Sequence, residues 1–160
     1  MSTRHAGARP CSFIQHPCRA NTEPAVLRQR KNVQQPCFVA KTVLIADDSA
    51  SIRLSVRLLL ENRHKELVVR EAVDGVDAIE QAKTAKPDLI LLDLVMPQLN
   101  GAEAATVLKN AMPQTPVILF TMYTDMHVDF LCRAIGVDFV SKSDGVSKLL
   151  ERVDALLLPN

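Results

Sequence analysis

From Lys41 onward, short apolar runs alternate with stretches whose apolar residues recur every three or four positions. Runs at 42–46, 67–71, 88–92, 116–120 and 138–141 have strand length, and three of them are nearly unbroken in hydrophobicity. Between them lie helical patterns over 49–62, from 74 to about 83, from Asn100-Gly101 to Met112-Pro113, over 125–135, and from Asp144 to the chain end. Ile52, Val56, Leu59 and Leu60 form the stripe of the first helix. Val146, Leu149, Leu150, Val153 and Leu156 form that of the last. Ser49, Asp74 and Asp144 stand where N-caps are expected. Lys86-Pro87 and Gly136 stand where helices stop.

Five βα units in this space predict an α/β fold with a doubly wound parallel five-stranded sheet. The unbroken runs suit strands buried on both faces. Of the common doubly wound orders, the flavodoxin-like 2-1-3-4-5 fits five short units. That order makes neighbours of strands one, three, four and five. Their C-terminal ends carry Asp47-Asp48, Asp93, Thr121 and Lys142. Ligands bind at this edge of a parallel sheet. Three carboxylates gathered there repel one another and require a cation, and an all-oxygen, partly hydrated set suits Mg²⁺. The chemistry so implied is phosphate chemistry on Asp93.

Composition changes the picture mainly at the N-terminus. The net charge of +1 conceals a basic segment, residues 1–40, with six basic residues and one acid, which leaves 13 basic and 17 acidic residues downstream. An acidic compact domain is a poor direct nucleic-acid binder. Residues 1–40 hold four of the nine prolines and no sustained periodicity, which predicts a disordered basic extension ahead of a domain at 41–158. The extension overlaps transit peptides in composition but has no secretory apolar core. Val39-Ala40-Lys41 also reads as a natural start, so the extension can be a start-site artefact. Cys11, His16 and Cys18 match no common zinc spacing. Only Cys132 falls in the domain, and the absence of a disulfide framework points to a reducing cytoplasm. No run approaches the ~20 apolar residues of a membrane-spanning helix.

Asp47-Asp48, Asp93, Met96-Pro97 with Gly101, Thr121 and Lys142, in this order, resemble the receiver domain of two-component response regulators. The resemblance covers Lys41 to Leu158. It implies a phosphoacceptor, Asp93, loaded by a sensor histidine kinase or histidine phosphotransfer protein. It implies Mg²⁺ held by Asp48, Asp93 and the Val95 carbonyl, with Asp47 acting through metal water or directly. Lys142 and Thr121 are then the catalytic contacts to phosphoryl oxygens. Thr121 and Phe139 are the switch pair that alters the face of helix four, strand five and helix five. A stand-alone regulator is expected, monomeric or dimerising on phosphorylation, with self-phosphorylation and slow self-dephosphorylation as its only catalysis. Tyr123, Met126, Val128 and Phe139 are the expected contact face for an unidentified downstream protein.

Each residue also has a plainer reading. An Asp pair after a strand is commonly a turn or cap, Lys142 a surface lysine, Phe139 a core aromatic, and Arg53 with Arg57 a solvated face. His64 and His127 read as solvent-facing, and Cys132 as a small buried hydrophobe. Several positions depart from the receiver pattern. Ser143 stands where a proline is common, so a looser loop without a cis bond is expected. Met122 is bulky after Thr121 and is expected to restrict access to Asp93. The segment 136–139 is one residue short, which puts the register of Phe139 in question. Val95 and Tyr123 flank the water path and predict slow dephosphorylation. A phosphate-independent pseudo-receiver remains an alternative. An aspartyl-phosphate phosphatase is another, though Val95 stands where its second Asp belongs.

Overall fold

The computed structural model describes residues 40–124 and 126–158. The expectations for residues 1–39, disorder and start site included, lie outside them. Five strands, β1 (Thr42–Ala46), β2 (Val68–Ala72), β3 (Leu89–Leu92), β4 (Val117–Thr121) and β5 (Asp138–Ser141), alternate with five helices. These are α1 (Ala50–Arg63), α2 (Gly75–Ala85), α3 (Gly101–Ala111), α4 (Met126–Ile135) and α5 (Val146–Leu157). The sheet is wholly parallel, in the order β2-β1-β3-β4-β5. The expected flavodoxin-like architecture is therefore present.

Alternation along the strands divides the core. Leu44, Ile90, Leu92 and Leu119 face α2, α3 and α4, where Ala78, Ala82, Ala104 and Ala105 allow close helix approach. Val43, Ile45, Leu91 and Ile118 face the other way, onto Val56 and Leu60 of α1 and Leu149, Val153 and Leu157 of α5. Period-two side-chain alternation requires this division once both faces of the sheet are covered.

Local chemistry sets most boundaries. The Asp74 carboxylate caps α2 by accepting from Val76 N and Asp77 N. Asn100 and Glu103 form a capping box on α3. Pro87 disfavours a helical residue before it, and Lys86 leaves α2 with φ +46°. Gly136, at φ +68°, ends α4 while Val137 N bonds Cys132 O.

Four expectations need correction. Ser49 is the N-cap residue of α1, but its hydroxyl meets Ser51 rather than a backbone N–H. Asp144 does not cap the last helix; it lies in a 3₁₀ turn, Lys142–Asp144, and binds Lys148, leaving Gly145 at the N-cap. The stretch after Lys142 is tied by Ser141, whose hydroxyl accepts from Ser143 N at 3.1 Å, and is not loose. His64 is buried, not solvent-facing. Its Nε2 lies 2.7 Å from Asp154 Oδ1 on α5, while Arg63 Nε donates to Asp154 Oδ2 at 2.8 Å. Asp154 thus staples α5 to the end of α1.

Asp154→Ala is expected to cost about 1–3 kcal/mol at neutral pH, because it leaves His64 buried without its partner. The Arg63 hydrogen bond holds the Asp154 carboxyl below its ordinary value of 3.8, against opposing burial and with help from His64. A depressed carboxyl stabilises above the unfolded value and stops doing so as pH falls through the folded one. Urea unfolding should therefore separate the variant from the wild type at pH about 7 and bring them together below about 3.8. A constant gap across that range would contradict the assignment.

Candidate functional site

Three strand ends build the site. Asp47 and Asp48 follow β1, Asp93 follows β3, and Lys142 follows β5. Pairing of β1 with β3 sets Ala46 beside Leu92, and Asp93 N donates to Ala46 O at 2.8 Å. That register brings the carboxylates together, with ligand oxygens of Asp47, Asp48 and Asp93 within 4.8 Å of one another. The Lys142 ammonium bridges two of them, at 2.6 Å from Asp47 Oδ2 and 2.8 Å from Asp93 Oδ2. Asp47 Oδ1 accepts from Ser49 N and Asp93 Oδ1 from Leu94 N. Asp48 is exposed and has no hydrogen bond among the described residues.

Lys142 is shielded, with its side chain 8% exposed and its ammonium 5.7 Å from the centre of the Phe120 ring. Burial alone would lower its pKa, but the hydrogen bonds to Asp47 and Asp93 outweigh it and raise the value. Three carboxylates and one ammonium leave a local charge of −2. The donors brought together are all carboxylate oxygens, and one carboxylate opens to water. This donor set fits a hard divalent cation that keeps part of its hydration shell.

Thr121 is buried at the end of β4, paired with Ser141 in register; its hydroxyl accepts from Tyr123 N at 3.4 Å and makes no bond to Asp93. Phe139 is half-buried, opposite Leu119, and packs toward α4 against the cluster containing Val128 and Cys132. Phe139 lies within β5 and keeps its place in the sheet beside Leu119. Met122 and Tyr123 are exposed, at 63% and 56%. Met122 therefore spends most of its surface in solvent, which gives no support to the expected restriction of access.

Reading the sequence overlooked the supports of this site. Arg53 is no solvated residue: its Nη1 donates to Asp47 O at 2.7 Å and its Nε to Glu71 at 3.1 Å, with the side chain 12% exposed. Arg57 shares Glu71. Burial pushes the Glu71 carboxyl up, but its bonds from Arg57 and Arg53 together hold it low. Gln98, at φ +64°, donates to Asp74 Oδ2, tying the loop after Asp93 to the start of α2. The nearest sequence signal for Arg53 was its place on the first turns after an acidic pair. For Gln98 there was none.

A family model for the response regulator receiver domain matches residues 43–154. The chain belongs to the response regulator receiver family. It is 34% identical to response regulator protein VraR of Staphylococcus epidermidis over 116 residues, covering 72% of this chain and 56% of that protein. It is 35% identical to protein-glutamate methylesterase/protein-glutamine glutaminase of Thermotoga maritima, covering 69% of this chain and 33% of that protein. The chain thus spans about half or less of the length of these curated relatives. Among solved structures, the chemotaxis protein CheY4 of Vibrio cholerae is similar at 28% identity and TM-score 0.66, over 72% of this chain and 98% of that one. Among the described residues, no helix of this receiver is long and apolar enough to cross a membrane.

Proposed function

We propose that residues 41–158 form a phosphoacceptor switch in which Asp93 accepts a phosphoryl group from the phosphohistidine of a sensor histidine kinase or phosphotransfer protein. The observation that carries this reading is the Lys142 ammonium seated between Asp47 and Asp93, beside Asp48, at the carboxyl edge of the sheet. An Asp93 carboxylate oxygen attacks phosphorus, the P–N bond breaks, and imidazole leaves. Asp47, Asp48, Asp93 and the Val95 carbonyl hold Mg²⁺, which when bound supplies the charge that offsets the acidic cluster. Lys142 turns its ammonium to one phosphoryl oxygen and Thr121 its hydroxyl to another. Drawing Thr121 inward vacates the space beside it, and Phe139 turns to fill it. The surface around α4, β5 and α5 changes, and a partner protein reads the change. Its candidate contact face includes Tyr123 and Met126, the latter 88% exposed. The function is regulatory and is exercised in the cytoplasm.

The test is intact mass after treatment with acetyl phosphate. A gain of one phosphoryl group with Mg²⁺, absent when EDTA replaces the metal, is the expected result. No gain, together with no saturable response to beryllofluoride, would leave the pseudo-receiver reading in its place.

The acyl phosphate is expected to persist for minutes or longer. Val95, two residues past Asp93, and Tyr123, two past Thr121, bring no carboxylate or amide to position water, and both are over half exposed. Val95→Asn offers water a hydrogen-bonding side chain without disturbing the core, and should shorten the lifetime several-fold. Phosphate release followed in Mg²⁺ buffer measures this; a wild-type half-life of a few seconds would refute it.

A further inference from the structure

A second concave site lies at the opposite edge of the sheet from Asp93. Residues of α2, α3 and the turns after them line a groove of about 350 Å³ there. Its walls are Ile79 from α2, Val107, Leu108 and Ala111 from α3, and Pro87 between them. Met112 and Thr115 extend the lining, two cations, Lys83 and Lys86, belong to it, and no acidic residue does.

The disposition of the lysines is informative. Lys109 also stands on α3 nearby, but its ammonium is spent on Pro113 O and Thr115 O, closing the turn after that helix. Lys83 and Lys86 are exposed, and neither ammonium has a hydrogen bond or ion pair among the described residues. Lys86 is placed by backbone chemistry: it ends α2 in the left-handed region at φ +46°, a position glycine usually takes, directly before Pro87. The groove therefore joins an apolar floor to two uncommitted positive charges.

We infer that this α2–α3 groove binds a small anionic amphiphile, with its alkyl chain along Ile79, Val107 and Ala111 and its carboxylate or other anionic head on Lys83 and Lys86. The volume sits at the small end of the ~300–1,000 Å³ typical of ligand pockets, which suits a medium-length alkyl chain. Lys86 and Pro87 precede β3 whereas Asp93 follows it, so an occupied groove leaves the phosphoacceptor edge clear.

The experiment titrates the full chain with octanoate, octyltrimethylammonium and 1-octanol, following backbone amide shifts by NMR. Saturable octanoate shifts confined to α2, α3 and the turns after them are expected, with much weaker responses to the cationic and neutral probes. K83E/K86E should lower octanoate affinity at least tenfold. Val107→Glu, which adds an acid to a half-exposed wall, should do the same. Unchanged melting temperature and unchanged beryllofluoride response in these variants separate loss of the groove from loss of the fold or of the Asp93 site. Equal binding of octyltrimethylammonium, unaltered affinity in both variants, or no saturable octanoate shift would each overturn the assignment.

Discussion

Asp93→Asn is expected to abolish phosphoryl incorporation from acetyl phosphate while leaving the fold intact. The amide keeps the shape of the carboxylate but is not a nucleophile toward phosphorus, and neither of the two carboxylates clustered with it is free to replace it in the same setting. Asp47 Oδ2 is committed to Lys142 and Oδ1 to Ser49 N, while Asp48 is exposed. The fold should survive because the Asp93 backbone bond to Ala46 O and the Lys142–Asp47 contact remain. Removing one of three clustered carboxylates also relieves repulsion. In metal-free buffer the variant should therefore unfold no earlier than the wild type, and it should gain less from added Mg²⁺. A ligand that binds only the folded state at ~100 times its Kd stabilises by about 2.7 kcal/mol, and that increment should shrink markedly. Intact mass and thermal unfolding with and without Mg²⁺ measure both effects. Full labelling of the variant would place the acceptor elsewhere. An unchanged metal response would remove Asp93 from the cation site.

Gly101→Ala should be among the most destabilising single substitutions in this domain. Gly101 opens α3, its N–H donating to Leu94 O at 2.9 Å. A Cβ there would meet Asp93 O at 1.9 Å and Asp93 C at 2.8 Å. Those atoms are backbone and cannot swing away, so either α3 retreats from the sheet or the loop after β3 moves. Overpacking a dense interior typically costs 1–3 kcal/mol and occasionally more; contact with backbone places this case at about 3 kcal/mol or above. The loss should be functional as well, since the shifted segment carries Asp93 and the Val95 carbonyl. Urea unfolding should show a lower midpoint, and the folded fraction should accept phosphoryl groups more slowly. Gly101→Ala with wild-type stability and labelling would mean that the helix start yields more freely than the packing implies.

The strand runs, helix stripes and stop signals of this chain were readable because they depend on neighbours within a few positions. Hydrophobic period distinguishes strand from helix, and the succession of five βα units leaves few sheet orders. The convergence of Asp47, Asp48, Asp93 and Lys142 followed, since a parallel sheet collects all its strand ends at one edge. Asp144 shows where such reading stops: an acid before an apolar stripe looks like a cap, yet the 3₁₀ turn after Lys142 turns it toward Lys148 and leaves Gly145 at the helix start.

Packing across long sequence separations decided the rest. His64 becomes a buried staple only because α5 brings Asp154 to it from 90 residues away. Arg53 supports the acidic site only because β2 sets Glu71 beside β1. Gly101 reads in the sequence as the opening of a helix, and its function as the point where α3 presses on Asp93 appears only with the helix in place. Local propensity acts through a residue's own backbone and its nearest turns, and so it is written in order along the chain. Contacts between elements depend on how the sheet twists and how closely its helices seat, and these follow from the whole core at once.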